Sequence, residues 1–64
     1  MEPNIADQLS SLGQRIKTRR LALGLTQKAA AERSGVAYRT WRRLEGEAKA
    51  SIEDLVRAAI ALRC

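Results

Sequence analysis

The sequence predicts an all-α domain of four helices, and three observations support this prediction. Apolar residues recur at intervals of three, four and seven, which places them on one face of an α-helix. Residue types that cap helix N-termini, and glycines that end helices, divide the chain into four such segments. No segment has the alternating pattern of a half-buried strand. A chain of 64 residues has room for one domain, residues 1–64, and residues 1–4 are expected to be flexible.

The first helix is predicted for residues 5–23. Its apolar stripe consists of five residues: Ile5, Leu9, Leu12, Ile16 and Leu23. Asn4 can cap its N-terminus, and Gly24 suits the left-handed conformation that ends a helix. Gly13 lies inside the segment and destabilises a helix relative to alanine, so a later start near Ser11 is the alternative.

The next two helices are short and close together. Thr26 can cap a second helix over residues 27–33, and Gly35 breaks the chain before a third helix over residues 37–45. Gly46 is expected to end the third helix. Two short helices joined by a tight turn form a helix-turn-helix, which here occupies residues 26–45.

A fourth helix is predicted for residues 52–62, where Ser51 can serve as the N-cap. Its apolar face is expected to contain five residues: Ile52, Leu55, Val56, Ala59 and Leu62. Ile60 widens that face beyond what a narrow core contact requires.

Positive charge is concentrated in the middle of the chain. The net charge is +5, and residues 15–43 contain nine Lys or Arg against one acidic residue. Such a distribution indicates a local electropositive surface and a phosphate-backbone partner.

Composition makes an enzyme improbable. The chain has no histidine and one cysteine, Cys64, so triads with histidine and thiolate or histidine metal sites are excluded. No glycine-rich phosphate loop is present, and we expect no metal, cofactor or catalytic residue. The sequence contains no signal-peptide pattern and no apolar run that could cross a membrane, so we expect a cytoplasmic protein.

The third helix is predicted to be cationic on one side and apolar on the other. At 100° per residue, Arg39, Arg42 and Arg43 fall within about 100° of one another, with Trp41 and Leu44 roughly opposite. Arginine suits a DNA groove because its planar fork binds guanine or phosphate bidentately. The alternative is an ordinary solvated helix face. Trp41 and Leu44 are expected to anchor this helix in the core.

Two small residues are expected to permit the helix-turn-helix geometry. Ala31 is small where the second helix crosses the third, and Gly35 accepts the positive φ of a sharp turn. Both are therefore predicted to be structural.

Four segments of the chain resemble the Xre/Cro-type, lambda-repressor-like helix-turn-helix domains. These segments are Leu12–Arg20, Gly24–Gln27, Ser34–Val36 and Arg43–Glu45. The resemblance covers residues 12–62. It implies a compact four- to five-helix bundle whose third helix enters the major groove of double-stranded DNA, usually as a homodimer on an inverted repeat.

The resemblance also implies roles for individual residues. An ion pair is implied between Arg20 and Glu45, and Lys49 is a candidate backbone contact in the loop after the third helix. The remaining DNA contacts implied are Thr26, Gln27 and Lys28 at the second helix, and Tyr38, Arg39, Arg42 and Arg43 at the third. Three alternatives stay open: Arg20 as a phosphate contact, Gln27 facing water, and Tyr38 packing on the surface.

We therefore predict a sequence-specific regulator, a repressor and candidate autorepressor that acts in the cytoplasm of a prokaryotic or phage-infected cell without a cofactor. Two alternatives are a protein-interaction module, such as the antitoxin of a toxin–antitoxin pair, and a non-specific DNA binder. A toxin or RNA polymerase is a further candidate partner. The wide face of the fourth helix, or the arm around Ile5 and Leu9, is the candidate dimer surface, and the alternative for both is ordinary packing in the core.

Overall fold

The computed structural model describes residues 4–63, which form four α-helices: α1 (Ile5–Ala22), α2 (Gln27–Ser34), α3 (Tyr38–Glu47) and α4 (Ile52–Leu62). This part of the chain contains no strand, so the predicted all-α fold is confirmed. Residues 1–4 are predicted to be flexible, and of these, residues 1–3 lie outside the described part of the chain. Asn4 caps α1, since its side chain accepts a hydrogen bond from the Asp7 backbone N–H at 2.8 Å.

The four helices surround one apolar core. α1 and α2 pack on α3, and α4 packs on α1 and α2. The fully buried large side chains are Trp41, Leu44 and Leu62, and small alanines at positions 30, 31 and 58 let the helices approach closely. Within residues 4–63, no helix is long and apolar enough to traverse a lipid bilayer.

α1 begins at Ile5, so the alternative start near Ser11 is wrong. The helix tolerates Gly13 because that position lies against α3. An added Cβ would come within 2.6 Å of the Leu44 carbonyl oxygen and 2.7 Å of the Glu45 carbonyl oxygen. The apolar stripe is shorter than predicted, since Ile5 is 77% exposed and Leu23 is 40% exposed.

The turn between α2 and α3 has the backbone that the sequence predicted. Thr26 caps α2 through a hydrogen bond from the Ala29 backbone at 3.0 Å. Gly35 has φ 75° in the left-handed region, and the Val36 backbone N–H donates to the Ala31 carbonyl at 3.1 Å. Ala31 and Val36 are buried, which packs the turn onto the core. The turn therefore fixes the direction in which α3 leaves α2.

α3 does not end at Gly46, which corrects the prediction. The helix continues to Glu47, and Ala48 adopts the left-handed conformation with φ 53°. An alanine there costs roughly 1–2 kcal/mol more than a glycine. Ala48 is buried, and its N–H bonds the Leu44 carbonyl at 2.9 Å, so packing holds it in this conformation.

α4 has the predicted bounds but a different buried face. Ala58 and Leu62 are fully buried, whereas Ile52 and Val56 are 80% and 49% exposed. Apolar residues surround most of this helix, so periodicity alone does not identify the side that packs. The small side chain of Ala58 permits the close approach to the rest of the core. Ser51 caps the helix, accepting from the Asp54 backbone at 3.1 Å.

Candidate nucleic-acid interface

The outer face of α3 carries three exposed arginines. Arg39, Arg42 and Arg43 line one shallow groove of about 310 Å³, together with Gly46 and Glu47. The 3.6-residue period of the helix places positions 39, 42, 43 and 46 on the same side. The structure thus brings the three predicted guanidiniums together on a single concave surface. Glu47, which lies beyond the predicted end of the third helix, borders the same surface.

The inner face of α3 is anchored. The side chains of Trp41 and Leu44 are fully buried, so α3 has no freedom to turn about its axis without exposing them. Burying a tryptophan and a leucine contributes several kcal/mol relative to leaving them in water. The arginine face is therefore presented in a fixed orientation.

A buried carboxylate connects three helices behind this face. Glu45 of α3 accepts hydrogen bonds from Arg20 of α1 through Nε and Nη2, the latter at 3.1 Å. It also accepts from Trp41 Nε1 and, at 3.2 Å, from Gln27 Nε2 at the start of α2. Every polar side-chain atom buried in the described part of the chain has a hydrogen-bond partner. Glu45 thereby holds α1, α2 and α3 in one arrangement.

The surroundings of Glu45 keep its carboxylate ionised. Burial by itself raises the pKa of Glu45, because a charged group loses hydration in the interior. The hydrogen bonds from Arg20, Trp41 and Gln27, together with the positive charge of Arg20, outweigh burial and lower the pKa below its ordinary value. The charged form is thus the one that the fold stabilises.

Arg20 lies in the core and has no access to a phosphate. Its residue surface is 7% exposed, and its Nη1 donates to the Leu25 carbonyl oxygen at 2.7 Å in addition to the two bonds with Glu45. The structure therefore contains the ion pair with Glu45, and the alternative role of Arg20 as a phosphate contact is wrong. The charge pattern of the sequence alone places Arg20 in the electropositive surface.

Arg19 is a second basic residue with a structural partner. Its Nε donates to the Leu62 carbonyl oxygen at 2.8 Å, where α4 ends. A cation at the C-terminus of a helix satisfies a free carbonyl and interacts favourably with the helix dipole. The sequence alone does not predict this role, because 43 residues separate the two positions and no local pattern links them.

The N-terminus of α2 presents the residues predicted to contact phosphate. Thr26 and Lys28 are exposed, and Gln27 is partly buried by its bond to Glu45. The alternative in which Gln27 only faces water is wrong, since its amide bonds the carboxylate. Free N–H groups in the first turn of a helix favour an anion.

Two further predicted contacts have partners at the surface. Tyr38 is 48% exposed, and the Arg42 guanidinium lies 5.9 Å from the centre of its ring, a cation–π contact that restrains the arginine. Lys49 forms an exposed ion pair with Glu47 at 3.4 Å. An exposed pair of this kind contributes little stability and breaks readily in favour of another anion.

A comparison with protein families identifies this arrangement. A helix-turn-helix family model matches residues 16–64, which is more than half of the chain. The chain belongs to this Xre/lambda-repressor-like helix-turn-helix family. Members are DNA-binding regulators, so this chain is a DNA-binding helix-turn-helix domain. No curated protein matches the chain.

Proposed function

We propose that this protein is a sequence-specific repressor that binds an inverted-repeat operator as a homodimer, with α3 in the major groove. The observation that carries the proposal is the arginine face of α3, where Arg39, Arg42 and Arg43 line one exposed groove. Each guanidinium can bond guanine O6 and N7 bidentately or grip a phosphate. Occupancy of the operator would exclude RNA polymerase from the promoter.

The proposed roles follow from exposure and partners. Arg39 has no side-chain partner within the described part of the chain and is our first choice for reading a base. Arg42 is restrained by Tyr38, so it is suited to a contact of fixed geometry. Thr26 and Lys28 would bind phosphate at the N-terminus of α2, which orients α3 in the groove without reading sequence. Gln27 would share its amide between phosphate and Glu45.

The test is selection of binding sites from a random duplex library at ~150 mM salt, a concentration at which charge contacts alone are weakened. Wild type is expected to enrich an inverted repeat. Arg39→Ala is expected to lose discrimination at one base pair in each half-site, by ~1–3 kcal/mol. The matched control is Lys17→Ala, which removes one exposed positive charge from α1 and is expected to leave the selected sequence unchanged.

Three other results would contradict parts of the proposal. If Arg39→Ala weakened every sequence equally, Arg39 would be a phosphate contact. If folded wild type bound all duplexes with the same salt dependence, it would be a non-specific binder. If it bound no duplex, the protein-interaction alternative would replace the proposal.

A further inference from the structure

α4 exposes an apolar stripe that the bundle does not use. Ile52, Val56 and Ile60 are 80%, 49% and 72% exposed. They are four residues apart along the helix and therefore lie on one face, away from the buried Ala58 and Leu62. Single exposed apolar residues are common on protein surfaces, but three in register along one helix form a contiguous patch.

The apolar surface continues beyond this stripe. A groove of about 430 Å³ lies between α1 and α4, and five residues line it: Leu12, Arg15, Ile16, Leu55 and Ala59. Leu55 and Ala59 are neighbours of the stripe on the α4 surface, so stripe and groove adjoin. The combined apolar surface can accommodate a second helix.

The two charged residues beside the stripe can pair with the same two residues of a second copy of α4. Glu53 and Arg57 border the other edge of the stripe and are separated by four residues. If a second α4 packs antiparallel about a two-fold axis near residue 55, each Glu53 faces Arg57 of the second copy. In the same arrangement Ile52 lies opposite position 58 of the second copy and therefore packs between its Val56 and Ile60. A parallel two-fold arrangement would instead place Glu53 and Arg57 beside the Leu55 and Ala59 edge of the second copy, where neither charge meets an opposite charge.

We propose that α4 is a homodimer surface, in which two copies pack their α4 helices antiparallel with Ile52, Val56 and Ile60 in the centre. This inference rests on the proposed function, which includes a dimer, and assigns the surface that forms it. The stripe shares no residue with the arginine face of α3, so both reading faces stay available in the dimer. A helix of 11 residues gives an interface below the standard size, so the dimer is weak and is completed on adjacent half-sites.

The test exchanges the two charges and measures association by sedimentation equilibrium. Glu53→Arg makes the edge wholly positive, and Arg57→Glu makes it wholly negative. Each variant alone is expected to dimerise at least ~10-fold more weakly than wild type, because like charges face each other. An equimolar mixture of the two is expected to form a heterodimer, since every positive edge then meets a negative one.

Mixing the two variants distinguishes an effect on the dimer interface from an effect on folding. Both variants lose the pair between Glu53 and Arg57, and Arg57→Glu also loses the pair between Arg57 and Asp54 at 2.7 Å. A merely structural effect of these losses would persist when the variants are mixed. Circular dichroism of each variant must show the helix content of wild type. If wild type stayed monomeric at millimolar concentration, if the mixture stayed monomeric, or if the variants dimerised as wild type does, the proposal would be wrong.

A further variant tests whether the α4 surface contributes to DNA binding, and it leaves the charge unchanged. Ile60→Gln replaces a 72% exposed side chain with a good helix former. It is expected to bind a single half-site as wild type does and to bind the full inverted repeat at least ~10-fold more weakly, because cooperativity is lost. Unchanged cooperativity would overturn the α4 assignment. If wild type bound no half-site, the proposed function would fail, while sedimentation would still decide the dimer.

Discussion

Gly13 offers the sharpest test of how α1 and α3 fit together, because two effects of opposite sign act at this position. Gly13→Ala improves helix propensity by about 1 kcal/mol. The new Cβ would, however, lie 2.6 Å from the Leu44 carbonyl oxygen and 2.7 Å from the Glu45 carbonyl oxygen. Both obstacles are backbone atoms of α3, which no side-chain rotation can move. The helices must therefore separate.

The destabilising steric effect is expected to exceed the stabilising gain in helix propensity. Overpacking in a tight contact costs typically ~1–3 kcal/mol, and separation of α1 from α3 also strains the bond between Arg20 and Glu45. Set against the gain in propensity of about 1 kcal/mol, we expect a net loss of up to about 2 kcal/mol. In a domain of this size, a loss of about 2 kcal/mol corresponds to a fall in Tm of roughly 8–16 °C.

Gly46→Ala is the matched control. Gly46 also lies inside a helix, its φ is not in the left-handed region, and a Cβ built there meets nothing within 4 Å. This variant is expected to raise stability by roughly 0.5–1 kcal/mol. Urea unfolding followed by circular dichroism measures both. If Gly13→Ala were as stabilising as Gly46→Ala, the close approach of α1 to α3 would be wrong.

Three further predictions concern single sites. Since the pKa of Glu45 is lowered in the folded state, its contribution to stability is complete above roughly pH 4.3 and is lost as the pH falls through the folded value. Carbon NMR titration of the Glu45 side chain checks this, and an ordinary pKa would contradict it. Trp41→Phe is expected to cost ~1–3 kcal/mol by removing the N–H that bonds Glu45, and Trp41→Ala ~3–5 kcal/mol; urea unfolding measures both, and an unchanged stability would refute the anchor role. Ala37→Ser is expected to add ~0.5–1 kcal/mol, because Ala37 caps α3 without a side-chain bond; no gain in Tm would mean that the serine does not reach the N–H groups of α3.

Local patterns predicted the helices well, since capping and period are properties of short segments. The starts of α1, α2 and α4 follow from Asn4, Thr26 and Ser51, each of which accepts the expected backbone bond. The end of α3 was mispredicted because the buried Ala48, not the exposed Gly46, takes the left-handed conformation. That choice depends on packing between helices, which no local pattern contains.

The candidate site was predicted to a similar extent and for the same reason. The arginine face of α3 follows from helical period within one segment. The bond from Trp41 to Glu45 could have been found as well, because the two lie four residues apart on one helix. The contacts of Arg19 with Leu62 and of Gly13 with Leu44 join distant parts of the chain. Only the assembled bundle reveals them.

The two faces of α3 are constrained very differently, and this has a consequence for specificity. The inner face is fixed by Trp41, Leu44 and Glu45, so substitutions there act on folding. On the outer face, Arg39 and Arg43 are exposed and have no hydrogen bond within the described residues. Exposed substitutions of this kind usually change stability by no more than about 0.5 kcal/mol. Under the proposed function, the bundle can therefore accept a new set of base-reading side chains while its geometry stays the same, because the proposed recognition surface and the stabilising contacts lie on opposite sides of one helix.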